Sequence, residues 1–402
     1  MDSMSPARQE PPASPWTVAL GGCLALAVAM GVGRFAFTPL LPIMQEHSGL
    51  GLARGSGLAS ANYVGYFVGA LMAAALRTES ALGSRASLVS VVVLTLGMAA
   101  TNEYSVWLVL RFLAGLASAF ALVHVSSYCL ESLGRLGRVT LAGLVFGGVG
   151  LGITLVGLLC LWLVAGAAGS ARAWGTVGAA ALLLTGLAWP AFRSSSFGKA
   201  ASSSRSALRL RGESLRLVLV YGGYGFGYII PATYLPLMAR QASSDPVAFA
   251  WSWPIFGMAA FLSTVLAGGA GRFIDDRRLW AISQVVMAVG VAAPVYWSGL
   301  GGILVAAVAV GSMFMVTSLA GLREARRLGA TNATSLVAAM TAAFALGQIA
   351  GPVIVGLLPG AHGFAVGSLL AAAVLLLGAA VLLRSPAERS PVTPPAARPE
   401  AP

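Results

Sequence analysis

The sequence predicts an all-α polytopic membrane protein, in which twelve transmembrane helices form two six-helix bundles and both termini are cytoplasmic. Three observations support this fold class. Of the 402 residues, 57% are hydrophobic and only 9% are charged, against about 25% charged residues in a soluble domain. The chain contains twelve long apolar runs, and the seventh run repeats a motif of the first. This composition argues against a soluble enzyme, a nucleic-acid-binding protein and a disordered chain.

Each apolar run is suited to one transmembrane helix, which needs about 20 residues to cross the hydrocarbon core. The runs are continuous rather than alternating, and this pattern favours helices over a membrane barrel. In chain order, the predicted spans are 16–44, 55–77, 86–101, 105–130, 139–164, 172–192, 214–239, 247–270, 279–298, 300–322, 332–358 and 362–384.

Three polar segments lie outside these runs and divide the chain. Residues 1–15 and 385–402 are polar and Pro-rich, and we expect them to be disordered cytoplasmic tails. Residues 193–213 form the longest internal polar stretch and are predicted to be a cytoplasmic linker. This linker separates an N-terminal bundle, 16–192, from a C-terminal bundle, 214–384. The first run is too long for the core of a signal peptide, so we expect no cleavage.

The distribution of basic residues predicts the orientation. The net charge is +12, from 25 Lys and Arg against 13 Asp and Glu. With a cytoplasmic N-terminus, 20 basic residues flank the spans on the cytoplasmic side, and only Arg54, Arg172 and Arg240 lie on the outer side. Basic residues are enriched in cytoplasmic loops. The asymmetry therefore favours this orientation in a bacterial inner membrane, and it accounts for the net charge without a nucleic-acid partner.

The two halves of the chain share a motif at the same place. A shift of 194 residues aligns Gly31, Gly33, Leu41, Pro42 and Met44 with Gly225, Gly227, Leu235, Pro236 and Met238. The first predicted helix is thus repeated as the seventh. A parallel repeat of six helices is typical of secondary transporters that bind their substrate between the two repeats, near the middle of the bilayer.

Two arginines, Arg34 and Arg111, lie within predicted spans, and no acidic residue falls clearly in mid-membrane. Each embedded Arg costs about 2.5–3.5 kcal/mol on insertion scales. An anionic ligand would offset that cost. Alternatively, backbone carbonyls that Pro39 and Pro42 leave without a donor would bind the guanidiniums, and the arginines would then only fix helix packing. Arg111 is close enough to the end of its span to extend toward the membrane surface.

Polar and aromatic side chains accompany the two arginines. Thr38 lies one turn after Arg34, and Asn62 and Tyr66 are spaced to share one helix face. Tyr224 and Tyr228 lie in the seventh span, and Tyr228 is the repeat counterpart of Arg34. Rings that face guanidiniums would suit a carboxylate attached to an apolar or aromatic body. The alternative for the tyrosines is helix packing or interfacial anchoring.

His124 is the one histidine that the sequence places deep in a span, and a histidine there could carry a proton. A neutral histidine bonded to a hydroxyl such as that of Ser127 is the alternative. The three cysteines lie in apolar runs without metal-ligand spacing, and neither a metal site nor a cofactor is predicted. The sequence has no HExxH motif and no nucleotide-binding loop after a strand, so we do not expect an enzyme.

Three stretches carry a family resemblance. They read GVGRFAFTPLLP at 31–42, ASANYVGY at 59–66 and GFGYIIPATYLP at 225–236. They resemble the YbfB/YjiJ-like branch of the major facilitator superfamily. The resemblance implies the major facilitator fold and transport by alternating access.

More general superfamily motifs are also visible. Residues 111–115 resemble the Arg motif of helix 4, and residues 347–352 resemble the Gly-Pro motif of helix 11. The stretch 271–278, GRFIDDRR, resembles the charged gate motif between helices 8 and 9. The resemblance assigns gating to Gly271, Asp275, Arg277 and Arg278.

Together, these features predict a secondary active transporter whose cargo is a small organic anion. Arg34, Thr38, Asn62, Tyr66, Arg111, Tyr224 and Tyr228 are the predicted cargo-binding residues. The motive force would be a proton gradient or exchange. One alternative is an exporter of amphipathic drugs or metabolites. Another is a membrane scaffold or sensor that transports nothing.

Overall fold

The computed structural model describes residues 14–75, 79–192, 212–242, 250–270, 274–329, 333–357 and 360–384. The predicted tails, apart from residues 14 and 15, and most of the predicted linker lie outside this part of the chain. The described residues form twelve helical segments, which we number α1 to α12. They are Pro15–Ser48, Leu52–Ala75, Ser80–Ala99, Tyr104–Arg135, Val139–Ala165, Ser170–Ala191, Glu213–Ala242, Ser252–Ala270, Asp276–Tyr296, Leu300–Gly329, Ala333–Leu357 and Gly360–Arg384.

Ten of these helices are long and apolar enough to cross a membrane. Many of their large apolar side chains point outward; for example, Leu183, Leu266 and Leu377 are 65%, 73% and 66% exposed. An apolar surface of this extent is a membrane-contacting surface. Helix α2 does not combine the required length with the required mean hydropathy. The apolar part of α8, Ser252–Ala267, is shorter than a full span. That all twelve helices cross the membrane stays a prediction.

Two helices, α4 and α10, continue past the C-terminal end of their predicted spans into charged segments. Helix α4 ends at Arg135 rather than near residue 130, and its last turn contains an ion pair between Glu131 and Arg135 at 2.5 Å. Helix α10 continues to Gly329 rather than 322. Ion pairs at this spacing stabilise a helix in water, so the edge of the apolar run does not mark the helix end.

The packing of the helices repeats with a period of six. In the first half, α1 to α6, helix α4 packs on α2 and α3, α1 on α5, and α3 on α6. In the second half, α7 to α12, the corresponding contacts join α10 to α8 and α9, α7 to α11, and α9 to α12. The internal repeat that the sequence suggests is therefore present in the helix packing as well.

The most extensive contacts between the two halves join α5 with α8, α2 with α11, and α1 with α7. Glycines bring the α5 and α8 backbones close together. A Cβ at Gly150 would lie 2.3 Å from the backbone nitrogen of Phe261, and one at Gly257 would lie 2.4 Å from that of Thr154. Small residues permit such contact between helices in a bilayer. At these positions the two halves therefore meet backbone to backbone.

Candidate binding site around Arg34

Helix α1 changes its winding directly before Arg34. Residues Ala27–Val32 form a π-helical turn, and regular α-helix resumes at Phe37. At the start of this α-helix, the amide of Thr38 bonds to the carbonyl of Phe35, three residues back, at 3.2 Å. It therefore does not bond to the carbonyl of Arg34, four residues back. Pro39 has no N–H to restore the regular pattern. Irregular helix turns of this kind are frequent at functional sites.

Side chains from α2 and α4 donate to the carbonyls that this irregularity exposes. Asn62 Nδ2 donates to the carbonyl of Gly33 at 3.2 Å and to that of Arg111 at 2.9 Å. The guanidinium of Arg111 donates to the carbonyls of Gly33 at 3.5 Å and Arg34 at 3.2 Å. It also lies 5.0 Å from the ring centre of Phe37. Both Nη groups of Arg111 are therefore engaged by the backbone, which favours its helix-fixing role over cargo binding.

The side chain of Arg34 is surrounded by aromatic rings instead. It is 2% exposed, and its guanidinium carbon lies 4.0 Å from the ring centre of Tyr66 and 5.4 Å from that of Tyr63. One Nη donates to the hydroxyl of Tyr228 at 3.3 Å. Its Nε has no hydrogen-bond partner among the described residues. Within that part of the chain, Arg34 forms no ion pair with a carboxylate.

Arg34 lies where the two repeats meet. Three contacts join residues to their counterparts 194 positions along the chain. Arg34 contacts Tyr228, Thr38 Oγ1 donates to the carbonyl of Ala232 at 2.7 Å, and Glu46 pairs with Arg240 at 2.7 Å. A residue meets its own counterpart only near the axis that relates two repeats. The predicted residues Arg34, Thr38 and Tyr228 therefore lie on the axis between the halves.

The tyrosines of α7 belong to an aromatic cluster with α10 and α11. The ring of Tyr228 stacks on Phe314 and on Phe344, each at 5.6 Å between ring centres. Tyr224 stacks on Tyr228 at 5.3 Å, but its hydroxyl donates to the carbonyl of Phe314 and lies 2.9 Å from the hydroxyl of Ser318. Tyr224 thus supports the ring of Tyr228 and does not contact Arg34 with its hydroxyl.

Three further residues belong to the site and were not among the predicted cargo-binding residues. Gln348 in α11 is fully buried, and its amide donates to the hydroxyl of Tyr228. Phe314 and Phe344 enclose the ring of Tyr228. A polar amide within an apolar run marks Gln348 as unusual, and this signal was available. Phenylalanines in apolar runs carry no such signal.

His124 lies apart from this site. It is 13 residues beyond Arg111 on α4, which corresponds to about 20 Å along a helix. Its Nδ1 is 2.8 Å from the carbonyl of Phe120, its ring stacks on that of Phe120 at 5.4 Å, and it packs against Gly83 of α3. The structure shows a bond to a carbonyl rather than one to Ser127, and a carbonyl can only accept, so Nδ1 carries a proton.

The predicted gate residues that the structure describes belong to a charged cluster. Arg277 contacts Glu213 and lies 3.4 Å from the buried carboxylate of Glu324, while Asp275 lies 4.0 Å from Arg327. Arg278 is exposed, and Gly271 lies outside the described residues. The cluster connects α7, α9 and α10 within the second half. Nowhere in the described ranges do three His, Cys, Asp or Glu side chains come together as metal ligands would.

A family model described as "Uncharacterised MFS-type transporter YbfB" matches residues 26–383. The chain belongs to this family. It is thus a multi-pass membrane transporter of the major facilitator superfamily rather than an enzyme, and it acts on a small-molecule substrate by secondary transport. The expected superfamily resemblance is confirmed.

Comparison with solved structures shows the same fold. The transporter is similar to the structure titled "Crystal structure of D-xylose-proton symporter", with a TM-score of 0.70 and 13% sequence identity. The match covers 92% of this chain and 97% of that chain. At this identity the likeness concerns the fold alone. No curated protein matches the chain significantly.

Proposed function

We propose that the transporter carries a small organic anion, which binds to Arg34 between the two halves. The observation that carries this proposal is a buried guanidinium on the repeat axis that forms no ion pair in the described part of the chain. A single embedded Arg costs about 2.5–3.5 kcal/mol, and an anionic cargo recovers part of that cost. Arg111 contributes indirectly, because it holds the carbonyl of Arg34 and so the position of the Arg34 backbone.

The proposed cycle is a rocking of residues 16–192 against 214–384. In this cycle the backbones of α5 and α8, which glycines bring close together, tilt against each other. The polar contacts between the halves include Arg34 with Tyr228 and Tyr63 with Thr233, whose hydroxyls lie 2.8 Å apart. These contacts break when the halves separate. The motive force is a proton gradient or exchange of one anion for another.

The second candidate is export of amphipathic drugs or metabolites, which the aromatic cluster around Tyr228 favours. A binding screen separates the two. Purified full-length protein is heated with anionic, neutral and cationic compounds, since a ligand of the native state raises its melting temperature. The anion proposal expects stabilisation by carboxylates and their uptake into vesicles. Stabilisation and transport of cations only would contradict it.

We propose that the protein lies in a bacterial inner membrane with both termini and residues 193–213 in the cytoplasm. The distribution of basic residues supports this orientation. Topology reporters fused at Ser203 and within 385–402 should report cytoplasm, and one at Ser243 should report the outside. A reporter signal from the outside at Ser203 would reverse the orientation.

The proton-carrier role predicted for His124 would lie away from the anion site. The packing of His124 at Gly83 and its bond to the carbonyl of Phe120 favour a structural role instead. If His124 carries the coupled proton, then His124→Gln should abolish accumulation driven by a pH gradient and leave anion exchange intact. Accumulation at the wild-type rate in vesicles with an imposed gradient would remove His124 from the mechanism.

A further inference from the structure

The ring of Tyr228 stacks in parallel on the rings of Phe314 and Phe344, and we call the space that it fills the aromatic slot. The planes of Tyr228 and Phe314 differ by 5°, and those of Tyr228 and Phe344 by 7°. The side chain is 2% exposed. Parallel rings at this spacing form offset stacks, which aromatic side chains prefer to face-to-face contact. The slot therefore has the shape of one planar aromatic ring.

The polar end of the same ring is held by two hydrogen-bond donors. Arg34 donates to the hydroxyl of Tyr228 at 3.3 Å, and the amide of Gln348 donates to it as well. A phenol oxygen has two acceptor sites and one proton of its own, so these donors fill its acceptor capacity. Gln348 Oε1 has no partner among the described residues. The end of the slot thus offers N–H groups to two lone pairs.

We propose that Tyr228 occupies the position of the cargo, and that the cargo is a flat aromatic monocarboxylate that displaces it. This inference rests on the proposed anion function. An aromatic acid has a planar ring and acceptor oxygens at one end, as Tyr228 has. Its full negative charge makes the bond to Arg34 charge-assisted on both sides, and such bonds are stronger than that of a neutral phenol. Both Nη groups of Arg111 already bond to carbonyls, whereas Arg34 gives a single bond to Tyr228, so Arg34 has more N–H groups free for a carboxylate.

Helix α7 is locally weakened where Tyr228 must move. Pro231 has no N–H for the carbonyl of Gly227, four residues before it, so the helix lacks a backbone bond beside Tyr228. Helices bend at such positions. Because the Arg34–Tyr228 bond joins the two halves, its exchange for an Arg34–cargo bond removes one contact between them. Cargo binding is thereby linked to separation of the halves.

The test compares two probes on purified full-length protein. Benzoate has a planar ring, whereas cyclohexanecarboxylate has the same carboxylate on a puckered ring of similar size. Affinities are measured by calorimetry for wild type, Tyr228→Ala and Tyr228→Phe. Tyr128→Ala is the matched control, since it opens a cavity at another buried tyrosine, which packs on Phe192.

Tyr228→Ala should bind benzoate about tenfold more tightly than wild type. In wild type, part of the binding free energy is used to displace the Tyr228 ring, and the variant has no ring to displace. Cyclohexanecarboxylate should gain much less. In Tyr228→Phe the ring still fills the slot, but Arg34 loses its bond to the hydroxyl. Its affinity for benzoate should therefore lie between those of wild type and Tyr228→Ala. Tyr128→Ala should bind both probes as wild type does.

If wild type binds both probes with equal affinity and Arg34→Gln binds neither, the preference for an aromatic cargo is refuted. The proposal of anion transport is then still supported. Benzoate binding that survives Arg34→Gln would overturn the proposed anion function itself. A Tyr228→Ala protein that binds benzoate no more tightly than wild type would show that Tyr228 does not hold the cargo position. If Tyr228→Ala does not fold, Tyr228→Leu gives the same comparison, since leucine fills part of the slot and cannot bond to Arg34.

Discussion

Arg34→Gln should weaken binding of the transported anion by about 10- to 100-fold without loss of the folded protein. The reason is that charge-assisted hydrogen bonds contribute about 1.5–3 kcal/mol each, and 1.4 kcal/mol corresponds to a factor of ten in affinity. Arg34→Lys keeps the charge but loses the planar fork that binds a carboxylate through two N–H groups. Its effect should be smaller. Affinities are measured by calorimetry with the carboxylate that stabilises the wild type most.

The matched control is Arg85→Gln, which removes an arginine that packs 4.9 Å from the ring of Trp189, away from the repeat axis. It should bind the anion as wild type does. Well-folded Arg34→Gln with wild-type affinity would refute cargo binding at Arg34. Its guanidinium would then serve only to join α1 to the tyrosines of α2 and α7.

Arg111→Met should have the opposite profile, with lower expression and a lower melting temperature but near wild-type affinity in the protein that folds. The substitution leaves the carbonyl of Arg34 without its donor, whereas the carbonyl of Gly33 keeps its bond to Asn62. An unsatisfied buried carbonyl costs about 1–3 kcal/mol. Melting temperature and anion affinity of the same preparations check this separation of roles.

Asn62→Leu provides an independent test of the same support. It removes both bonds from Asn62 Nδ2, to Gly33 and to Arg111. Because Asn62 and Arg111 share the carbonyl of Gly33, the losses of stability from the two substitutions should not be additive in the double variant.

A stable Arg111→Met protein that fails to bind the anion would instead make Arg111 a cargo ligand.

The helices themselves were predictable from the sequence. Backbone groups in a bilayer must form their hydrogen bonds within the segment, so a long apolar run forms an α-helix. The described helices follow the predicted spans closely. The helix ends were less predictable. Glu131 and Arg135 extend α4 beyond its apolar run, because a helix with paired charges continues in water. The irregular turn before Arg34 was also not predicted. Pro39 and Pro42 indicated free carbonyls four residues before each of them, whereas Arg111 binds the carbonyls of Gly33 and Arg34.

The different environments of the two embedded arginines required the tertiary structure. By sequence alone, Arg34 and Arg111 are each a cation in an apolar run, and they differ only in that Arg111 lies nearer the end of its span. Helix packing brings Arg111 from α4 against exposed carbonyls of α1, and it brings Arg34 against Tyr228 and, through it, Gln348. Charge and burial can be inferred from one segment, and so the presence of a polar site was predictable. The partner of a hydrogen bond depends on which side chains three or four distant segments place within about 3 Å of each other, and only the packed helices determine that.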